Sequence, residues 1–319
     1  MPFQDDLTRH GPGSDRIVSI GEARDYCARL TASHYENFSV VTWLTPRELR
    51  PAFAAIYSFC RWSDDLGDEV GDTARSVELL DWWAGELRAM YAGAARHPVL
   101  LALRETVAEY RIPIGPFEAL ISAFRQDQVV TEYERFDQLL DYCSRSADPV
   151  GHLVLYLARS FDDDNARLSD QTCTGLQLAN FWQDVARDLD IPRVYLPRED
   201  RERFGYPDAD LHARRYTPAF RALMEFEVGR ARDRLDRGRA LVPRLPGRLA
   251  IDVDLFSRGG LAILDRICAQ DYDVWRSRPT VGKVAKLGLL IRSILARPGR
   301  RGGVHGRGTP GRVRAESHT

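Results

Sequence analysis

Helical periodicity along almost the whole chain is the feature that most constrains the fold. From Ile20 onward apolar residues recur every three or four positions, and the alternating pattern of strands joined by hairpin turns does not occur. Helix-type boundaries such as "RIPIGP" and "LVPRLPGR" separate the periodic segments. Helices are predicted for residues 20–33, 47–69, 74–93, 97–110, 116–128, 136–160, 168–190, 217–242 and 247–275. The chain is therefore predicted to be all-α.

The domain organisation is predicted to be simple, because no linker interrupts the periodic segments. We expect a disordered N-terminus over residues 1–16, a single domain over 17–296 and a basic, Gly/Arg-rich disordered tail over 297–319. The "DDD" run at 162–164 is expected to lie in a solvated loop. The cationic amphipathic pattern at 281–296 fits either a last helix packed on the bundle, which we favour, or a helix on an anionic membrane surface.

Charge, cysteine content and targeting signals narrow the class of protein further. The formal net charge of -1 predicts no nucleic-acid partner. The five cysteines include no C-x-x-C pair, which is typical of reduced thiols in a cytoplasmic protein. The first residues lack the apolar core of a signal peptide, and no apolar run approaches the roughly 20 residues of a membrane span. We expect a cytoplasmic protein, with peripheral contact at the inner face of the membrane left open.

A polar stripe runs along the predicted helix at 47–69, which is otherwise strongly apolar. Tyr57, Arg61, Asp64 and Asp68 lie at positions i, i+4, i+7 and i+11, which share one helical face. A core helix should be apolar on such a face. The stripe therefore calls for an explanation beyond packing.

A second apolar helix repeats the arrangement in "GLQLANFWQDVARDLD". Gln177, Asn180, Asp184 and Asp188 fall at i, i+3, i+7 and i+11, so this stripe also ends in two aspartates four residues apart. A single D-x-x-x-D is usually a solvated face. Two of them on apolar helices indicate a site, because partly buried carboxylates need cations.

Paired aspartates of this kind are suited to magnesium and phosphate chemistry. Aspartates at i and i+4 can reach a common ion, and Mg²⁺ binds few carboxylates and completes its shell with water and phosphate oxygens. Arg61 and Arg193 would add charge-assisted hydrogen bonds to a diphosphate held between the stripes. Apolar walls would protect the carbocation that remains when diphosphate leaves an allylic carbon. The sequence contains no zinc-protease, di-iron, P-loop, dinucleotide or nucleophile-elbow motif.

The phrases that carry these residues resemble the squalene/phytoene synthase family. "DDLGD" and "DVARD" are similar to its two aspartate motifs, and "AIYSFCRWSDD", "LQLANFWQD" and "RVYLP" extend the likeness from about His34 to Lys286. The resemblance implies an isoprenoid-synthase helical bundle with a central apolar cavity. It also implies dependence on several Mg²⁺ ions and prenyl diphosphate substrates, with enzymes of the same pathway as candidate partners.

Three further phrases resemble one subclass, the bacterial hydroxysqualene synthases. They are "HYENFSVVTWLTP", "YCSRSADPVG" and "FWQDVARD". Phytoene synthases and presqualene diphosphate synthases typically carry Y-x-V-A-G-x-V-G where this chain has "SRSADPVG", residues 144–151. The subclass ionises presqualene diphosphate, rearranges the cyclopropyl cation and captures it with water. The resemblance therefore implies a role in squalene and hopanoid or other triterpenoid synthesis.

The resemblance also assigns roles to individual residues. His34 matches a histidine that contacts substrate, although a lone histidine is more often a surface or core residue. Tyr142 matches a catalytic tyrosine beside the reacting carbons, although it could simply be a buried tyrosine with a satisfied hydroxyl. Arg61 is assigned to catalysis as well as to substrate binding, and a substrate arginine of the family falls near Arg278. The magnesium ligands are Asp64, Asp68, Asp184 and Asp188, and the residues around the diphosphate are Tyr57, Arg61, Gln177, Asn180, Arg193 and Tyr195.

Several other functions stay open at this point. Squalene, presqualene diphosphate and phytoene synthases share the scaffold and join two prenyl diphosphates head-to-head. Class I terpene cyclases and chain-elongating prenyltransferases fit less well, because "DVARD" matches neither of their second motifs. A catalytically inactive scaffold relative should have damaged stripes, and here all four aspartates are intact.

Overall fold

The computed structural model describes residues 3–33 and 47–282, and within them nearly all regular structure is helical. The one bridge between extended residues in these ranges is isolated and parallel, between Glu132 and Val194. The all-α prediction is confirmed. The α-helices are α1 Phe3–His10, α2 Ile20–Ser33, α3 Arg50–Asp68, α4 Thr73–Tyr91, α5 Pro98–Tyr110, α6 Gly115–Gln126, α7 Phe136–Ser146, α8 Asp148–Leu157, α9 Asp163–Asp188, α10 Arg198–Arg203, α11 Asp208–His212, α12 Pro218–Gly238 and α13 Gly247–Ala269. Short 3₁₀ turns at Arg47–Leu49 and Arg239–Arg244 adjoin α3 and α12.

Residues suited to helix starts explain where several helices begin. Pro51 stands in the first turn of α3, where its missing N–H would have no intrahelical partner. The Asp72 side chain caps α4 by accepting a hydrogen bond from the Arg75 N–H at 2.7 Å. Asp162 caps α9 in the same way, accepting from the Asn165 N–H at 2.8 Å. The prediction of a loop at 162–164 is therefore wrong, because its first aspartate caps α9 and the other two lie in the first turn.

The N-terminal prediction is wrong for the residues of α1. An eight-residue helix is marginal on its own, so the sequence pattern gave no reason to expect one. Tertiary contacts stabilise α1, since Phe3 packs edge-on against Trp62 at 5.2 Å and Asp6 accepts a hydrogen bond from the Tyr26 hydroxyl at 3.0 Å. Within the predicted C-terminal helix at 281–296, residues from 283 onward lie outside the described ranges, as does the whole predicted tail.

The segment 136–160 was predicted as one helix and forms two. The break is at Ala147, whose φ of -116° departs from helical values. Pro149 follows closely, and proline has no N–H to continue the intrahelical hydrogen bonds. Helix α7 therefore ends at Ser146 and α8 starts at Asp148, so the departure from the family pattern at 144–151 lies at a helix junction.

The buried apolar residues form two large clusters, and the two aspartate-bearing helices belong to different ones. Helix α3 packs in the first cluster through Phe59, Trp62 and Leu66. Helix α9 packs in the second through Leu178 and Trp182. Each polar stripe is therefore left on the side of its helix that the cluster does not cover.

Glycines bring α9 very close to α12. A Cβ at Gly175 would lie 2.9 Å from the Leu235 side chain, and one at Gly238 would lie 2.7 Å from the Thr172 backbone nitrogen. Side chains larger than hydrogen would force the helices apart. The close approach fixes the position of α9.

Two further properties bear on the earlier expectations. All five cysteines are unpaired, in agreement with the prediction of free thiols. Across residues 3–33 and 47–282, no helix combines the length and apolar character that crossing a membrane requires.

Candidate functional site

Helix α3 presents the first aspartate pair at its C-terminal end. Burial of Phe59 and Trp62 turns the opposite face of the helix away from the core. Asp64 and Asp68 lie on that face one turn apart, with side chains 40% and 54% exposed. The pair is therefore accessible to a ligand while its helix is firmly anchored.

Arg61 lies one turn before this pair and is held by acidic neighbours. Its Nη1 lies 3.3 Å from Asp64 Oδ2, and its Nη2 pairs with Asp65. Asp65 is only 5% exposed, so this acid is an internal partner of the arginine rather than a solvated neighbour of the stripe. Tyr57 is half-buried on the same face, and burial is the main reason that its pKa is raised.

Helix α9 carries the second pair at its own C-terminal end. Asp184 is 9% exposed and Asp188 is half-buried, while Gln177 is half-buried and Asn180 is exposed. Arg278 makes a two-point contact with Asp184, in which Nε lies 2.5 Å from Oδ1 and Nη2 lies 2.9 Å from Oδ2. The segment after α13 thus returns to the second aspartate pair and places a positively charged arginine side chain against it.

Arg193 connects the two aspartate pairs. Its Nη2 donates a hydrogen bond to Asp68 Oδ1 at 3.4 Å, across 125 positions of sequence. Burial raises the pKa of Asp188, and the positive charge of Arg193 opposes that rise, so the guanidinium also lies near the second pair. Arg193 therefore lies between the two stripes, and their joint function as one site stays a prediction.

The two pairs are suited to divalent cations. Burial, followed by the charge of Asp68, raises the pKa of Asp64 to about 6. Burial, followed by the charge of Asp184, raises the pKa of Asp188 to about 7. The positive charges of the protein therefore do not fully neutralise the carboxylates of either pair. A bound cation would neutralise the remaining negative charge.

The donor set fits Mg²⁺ better than a metal with an all-protein shell. No cluster of three or more His, Cys, Asp or Glu side chains arranged for a metal occurs in the described ranges. Each helix instead offers two carboxylates, and Mg²⁺ is usually bound by one or two carboxylates together with water and substrate phosphate. Asp64, Asp68, Asp184 and Asp188 are the residues that would hold such ions.

A network of ion pairs holds the segment that contains Arg193 and Tyr195. The Val194 N–H donates to the Thr131 carbonyl at 2.7 Å, beside the Glu132–Val194 bridge. Arg201 is 1% exposed and pairs with Glu132 and with Asp208. Because a buried guanidinium with two carboxylate partners has little freedom, this network fixes the strand-like segment before α10.

Tyr142 belongs to an aromatic wall next to the aspartate pairs. Its ring lies 6.3 Å from Phe181 and 6.2 Å from Tyr195, and the latter two rings stack at 3.8 Å. The Tyr142 hydroxyl donates a hydrogen bond to Asp127 Oδ2 at 2.9 Å. Burial, followed by the charge of Asp127, raises the pKa of Tyr142 well above 10. The phenol is therefore neutral, which favours steering of a cation over ionisation of the tyrosine.

Asp127 is the residue that the sequence analysis missed. It lies at the end of α6, where burial raises its pKa to about 6 and the charges of Asp68 and Asp64 add to that rise. It therefore lies near both Tyr142 and the first aspartate pair. No periodic pattern marks it in "FRQDQ", so the sequence offered no signal for it.

The other predicted site residues are accounted for as follows. His34 lies outside the described residues. Arg278, which the resemblance placed only approximately, contacts Asp184 directly. The remaining predicted residues lie on the two stripes, in the segment after α9 or in the aromatic wall, and their roles stay predictions: Tyr57, Arg61, Asp64, Asp68, Tyr142, Gln177, Asn180, Asp184, Asp188, Arg193 and Tyr195.

Comparison with known families agrees with this arrangement. The family model described as squalene/phytoene synthase matches residues 31–285. The chain belongs to the squalene/phytoene synthase family. Enzymes of this family act on prenyl diphosphates, and they use a divalent metal with these substrates. The resemblance read from the aspartate motifs is confirmed.

Individual relatives and solved structures extend the comparison. The chain is 31% identical to 15-cis-phytoene synthase of Synechococcus elongatus over 287 residues, covering 86% of this chain and 93% of the relative. The crystal structure of squalene synthase HpnC from Alicyclobacillus acidocaldarius is similar with 48% identity and a TM-score of 0.76, covering 79% of this chain and 95% of that one. A dehydrosqualene synthase at 22% identity has a TM-score of 0.78 over 92% of this chain and 98% of that one, which shows the fold alone. The predicted isoprenoid-synthase fold is confirmed.

Proposed function

We propose that the chain is a hydroxysqualene synthase-like enzyme. It would ionise presqualene diphosphate, rearrange the cyclopropyl cation and capture the product cation with water. The observation that supports the proposal is the pair of contacts made by Arg193. Its side chain donates to Asp68 at 3.4 Å and its backbone N–H donates to the Asp188 carbonyl at 3.1 Å, so it links two aspartate-bearing helices that belong to different core clusters. The 48% identity to squalene synthase HpnC and the segment at 144–151 favour this subclass.

The diphosphate end of the site acts by charge. When bound to the aspartates, Mg²⁺ would neutralise the leaving diphosphate and make its departure easier. Arg61 and Arg193 are half-buried guanidiniums, so their charges are strongly felt by an anion placed between the stripes. Arg278 is in contact with Asp184 and adds a third cation to this end. These residues orient the diphosphate and stabilise the charge that develops on it as the C–O bond breaks.

The apolar end of the site protects and guides the carbocation. The stacked rings of Phe181 and Tyr195 exclude water from one side. Because the Tyr142 hydroxyl donates a hydrogen bond to Asp127, the negative charge on its oxygen increases and can stabilise a nearby cation. The hydroxyl stays protonated throughout, so Tyr142 guides the cation without taking a proton from it.

A second function is favoured by the sequence relatives. The 15-cis-phytoene synthases of Synechococcus elongatus and of a Synechocystis species are 31% and 32% identical over more than four fifths of this chain. Head-to-head joining of two prenyl diphosphates, as in phytoene, presqualene diphosphate or squalene synthesis, would use the same aspartate pairs and arginines. The distinction between these reactions lies in the apolar part of the site.

Product analysis tests the proposal. Purified protein is incubated with Mg²⁺ and either presqualene diphosphate, farnesyl diphosphate or geranylgeranyl diphosphate, without NADPH, and extracts are identified by mass spectrometry. We expect hydroxysqualene from presqualene diphosphate and no product from the other two. A condensation product from farnesyl or geranylgeranyl diphosphate would replace the proposal with the second function.

An Asp184→Asn variant provides the control for the metal site. It should lose turnover of presqualene diphosphate, and it should also lose the Mg²⁺-dependent rise in melting temperature that pyrophosphate gives the wild-type protein. No thermal shift in the wild-type protein at millimolar Mg²⁺ and pyrophosphate, together with no turnover of any substrate, would support an inactive scaffold relative instead.

A further inference from the structure

Ser146, the last residue of α7, has a buried hydroxyl with no partner among the described residues. The solvent-accessible surface of its Oγ is negligible, and it forms no hydrogen bond with any donor or acceptor in residues 3–33 or 47–282. Buried hydroxyls are normally satisfied, because an unmade hydrogen bond costs about 1–3 kcal/mol. The hydroxyl is therefore a candidate to bind a small polar molecule.

Other helical hydroxyls in the protein show what Ser146 does not do. Thr31, Ser63 and Ser257 each donate to the carbonyl four residues earlier, at 2.8, 2.8 and 2.9 Å. The corresponding acceptor for Ser146 is the carbonyl of Tyr142, and that bond is not made. The Ser146 hydroxyl thus does not use the acceptor that these other hydroxyls use.

The position of Ser146 on α7 places its hydroxyl next to the aromatic wall. Ser146 and Tyr142 are four residues apart, so their side chains lie on the same face of the helix. The Tyr142 ring on this face adjoins Phe181 and Tyr195. A molecule held by Ser146 would therefore lie one helical turn from the phenol that we assign to steering the carbocation.

The departure from the family pattern at 144–151 directs attention to the same residue. Ser146 and Asp148 stand where that pattern has valine and glycine. The Asp148 carboxylate already has a partner, since Thr174 Oγ1 on α9 donates to it at 2.8 Å. Of these two polar replacements, Ser146 is the one whose hydrogen-bonding capacity is not used by the described residues.

We propose that the Ser146 hydroxyl holds the water molecule that captures the carbocation, an inference that rests on the proposed function. The water donates one O–H to Ser146 Oγ and keeps a lone pair for the cationic carbon. That lone pair forms the new C–O bond, and the resulting oxonium loses its proton to the released diphosphate. The overall change converts presqualene diphosphate and water to the alcohol and hydrogen diphosphate, so no further reactant is needed.

The test measures product ratios in Ser146 variants. Ser146→Ala removes the hydroxyl with the smallest change in volume, and Ser146→Val restores the residue of the family pattern. With presqualene diphosphate and Mg²⁺, the C30 products of each variant are extracted and quantified. The ratio of alcohol to non-hydroxylated C30 products should fall about tenfold, the effect of losing one hydrogen bond to the water. Ser146→Thr keeps a hydroxyl and should retain most of the wild-type ratio.

Ser144→Ala is the matched control. Ser144 is an exposed serine on the same helix, and its hydroxyl donates to the Asp141 carbonyl at 2.7 Å. Its removal should leave the product ratio unchanged. An unchanged ratio in both Ser146→Ala and Ser146→Val, whether or not total turnover falls, would overturn the inference and leave the proposed function intact. A wild-type protein that makes no alcohol from presqualene diphosphate would overturn both.

Discussion

Neutralising Asp148 should stabilise the protein, and the gain should depend on pH in a defined direction. Asp148 is 7% exposed, and burial, followed by the charge of Asp170, raises its pKa to about 7. The carboxyl of an unfolded aspartate has a pKa of about 3.9. Because the folded value is the higher one, the folded state binds the proton more tightly. Protonated Asp148 therefore contributes to the free energy of unfolding. This contribution is fully present below about pH 4 and is lost as the pH rises through 7.

The size of the effect follows from the difference of about three pKa units. Each unit corresponds to about 1.36 kcal/mol, so ionised Asp148 costs up to about 4 kcal/mol at pH 8. Asp148→Asn removes the charge and keeps an oxygen that accepts the hydrogen bond from Thr174. The variant should therefore gain up to about 4 kcal/mol in free energy of unfolding at pH 8 and about 1.5 kcal/mol at pH 5.

Urea denaturation followed by circular dichroism at pH 8 and pH 5 measures both values. Thr174→Val is the companion variant, because it removes the hydroxyl that stabilises the carboxylate. It should lower the free energy of unfolding by about 1–3 kcal/mol at pH 8. A gain in Asp148→Asn that is equal at the two pH values, or a loss at pH 8, would refute the reasoning, since neither result can arise from ionisation of a buried carboxyl.

Two further predictions concern helix packing and the aromatic wall. Gly238→Ala should destabilise the protein by about 1–3 kcal/mol, because its Cβ would clash with α9, whereas Gly229→Ala on the exposed face of α12 should stabilise it by about 0.5–1 kcal/mol. Thermal unfolding of the two variants checks both signs, and equal effects would contradict the close approach of the helices. Tyr142→Phe should lower kcat on presqualene diphosphate at least about tenfold with little change in KM, and Asp127→Asn, which keeps an acceptor for the tyrosine hydroxyl, should lose less. Steady-state kinetics decides this, and a larger loss in Asp127→Asn would show that the carboxylate acts independently of the tyrosine.

The helices that hold the aspartates could be predicted because their signals are local. Asp64 and Asp68 share a face of α3 whatever the rest of the chain does, and the same holds for Asp184 and Asp188 on α9. Capping is also local, but the aspartates at 162–164 were predicted as a loop, because acidic residues suit both loops and the first turn of a helix. Helix α1 was missed because its stability depends on tertiary contacts, namely those with Tyr26 and Trp62, which its own sequence pattern does not reveal.

The contacts that assemble the site could not be predicted in this way. Arg278 and Asp184 are 94 positions apart, and Arg193 and Asp68 are 125 positions apart. Asp127 is near Tyr142 in sequence, but its contact depends on how α6 packs against α7. Repeat distances along a helix contain no information about which faces of different helices meet.

The sequence by itself determined that this chain is helical, and it determined which aspartates share a helical face, because both properties follow from the spacing of residues along one segment. The tertiary structure decided that Arg193 joins the two stripes, that Asp127 holds the hydroxyl of Tyr142 and that the hydroxyl of Ser146 has no partner in the described part of the chain. These contacts depend on how the helices of both core clusters pack, and close approach at glycines such as Gly175 sets the distance between α9 and α12. Packing is a property of all the helices together, so no single segment could reveal it.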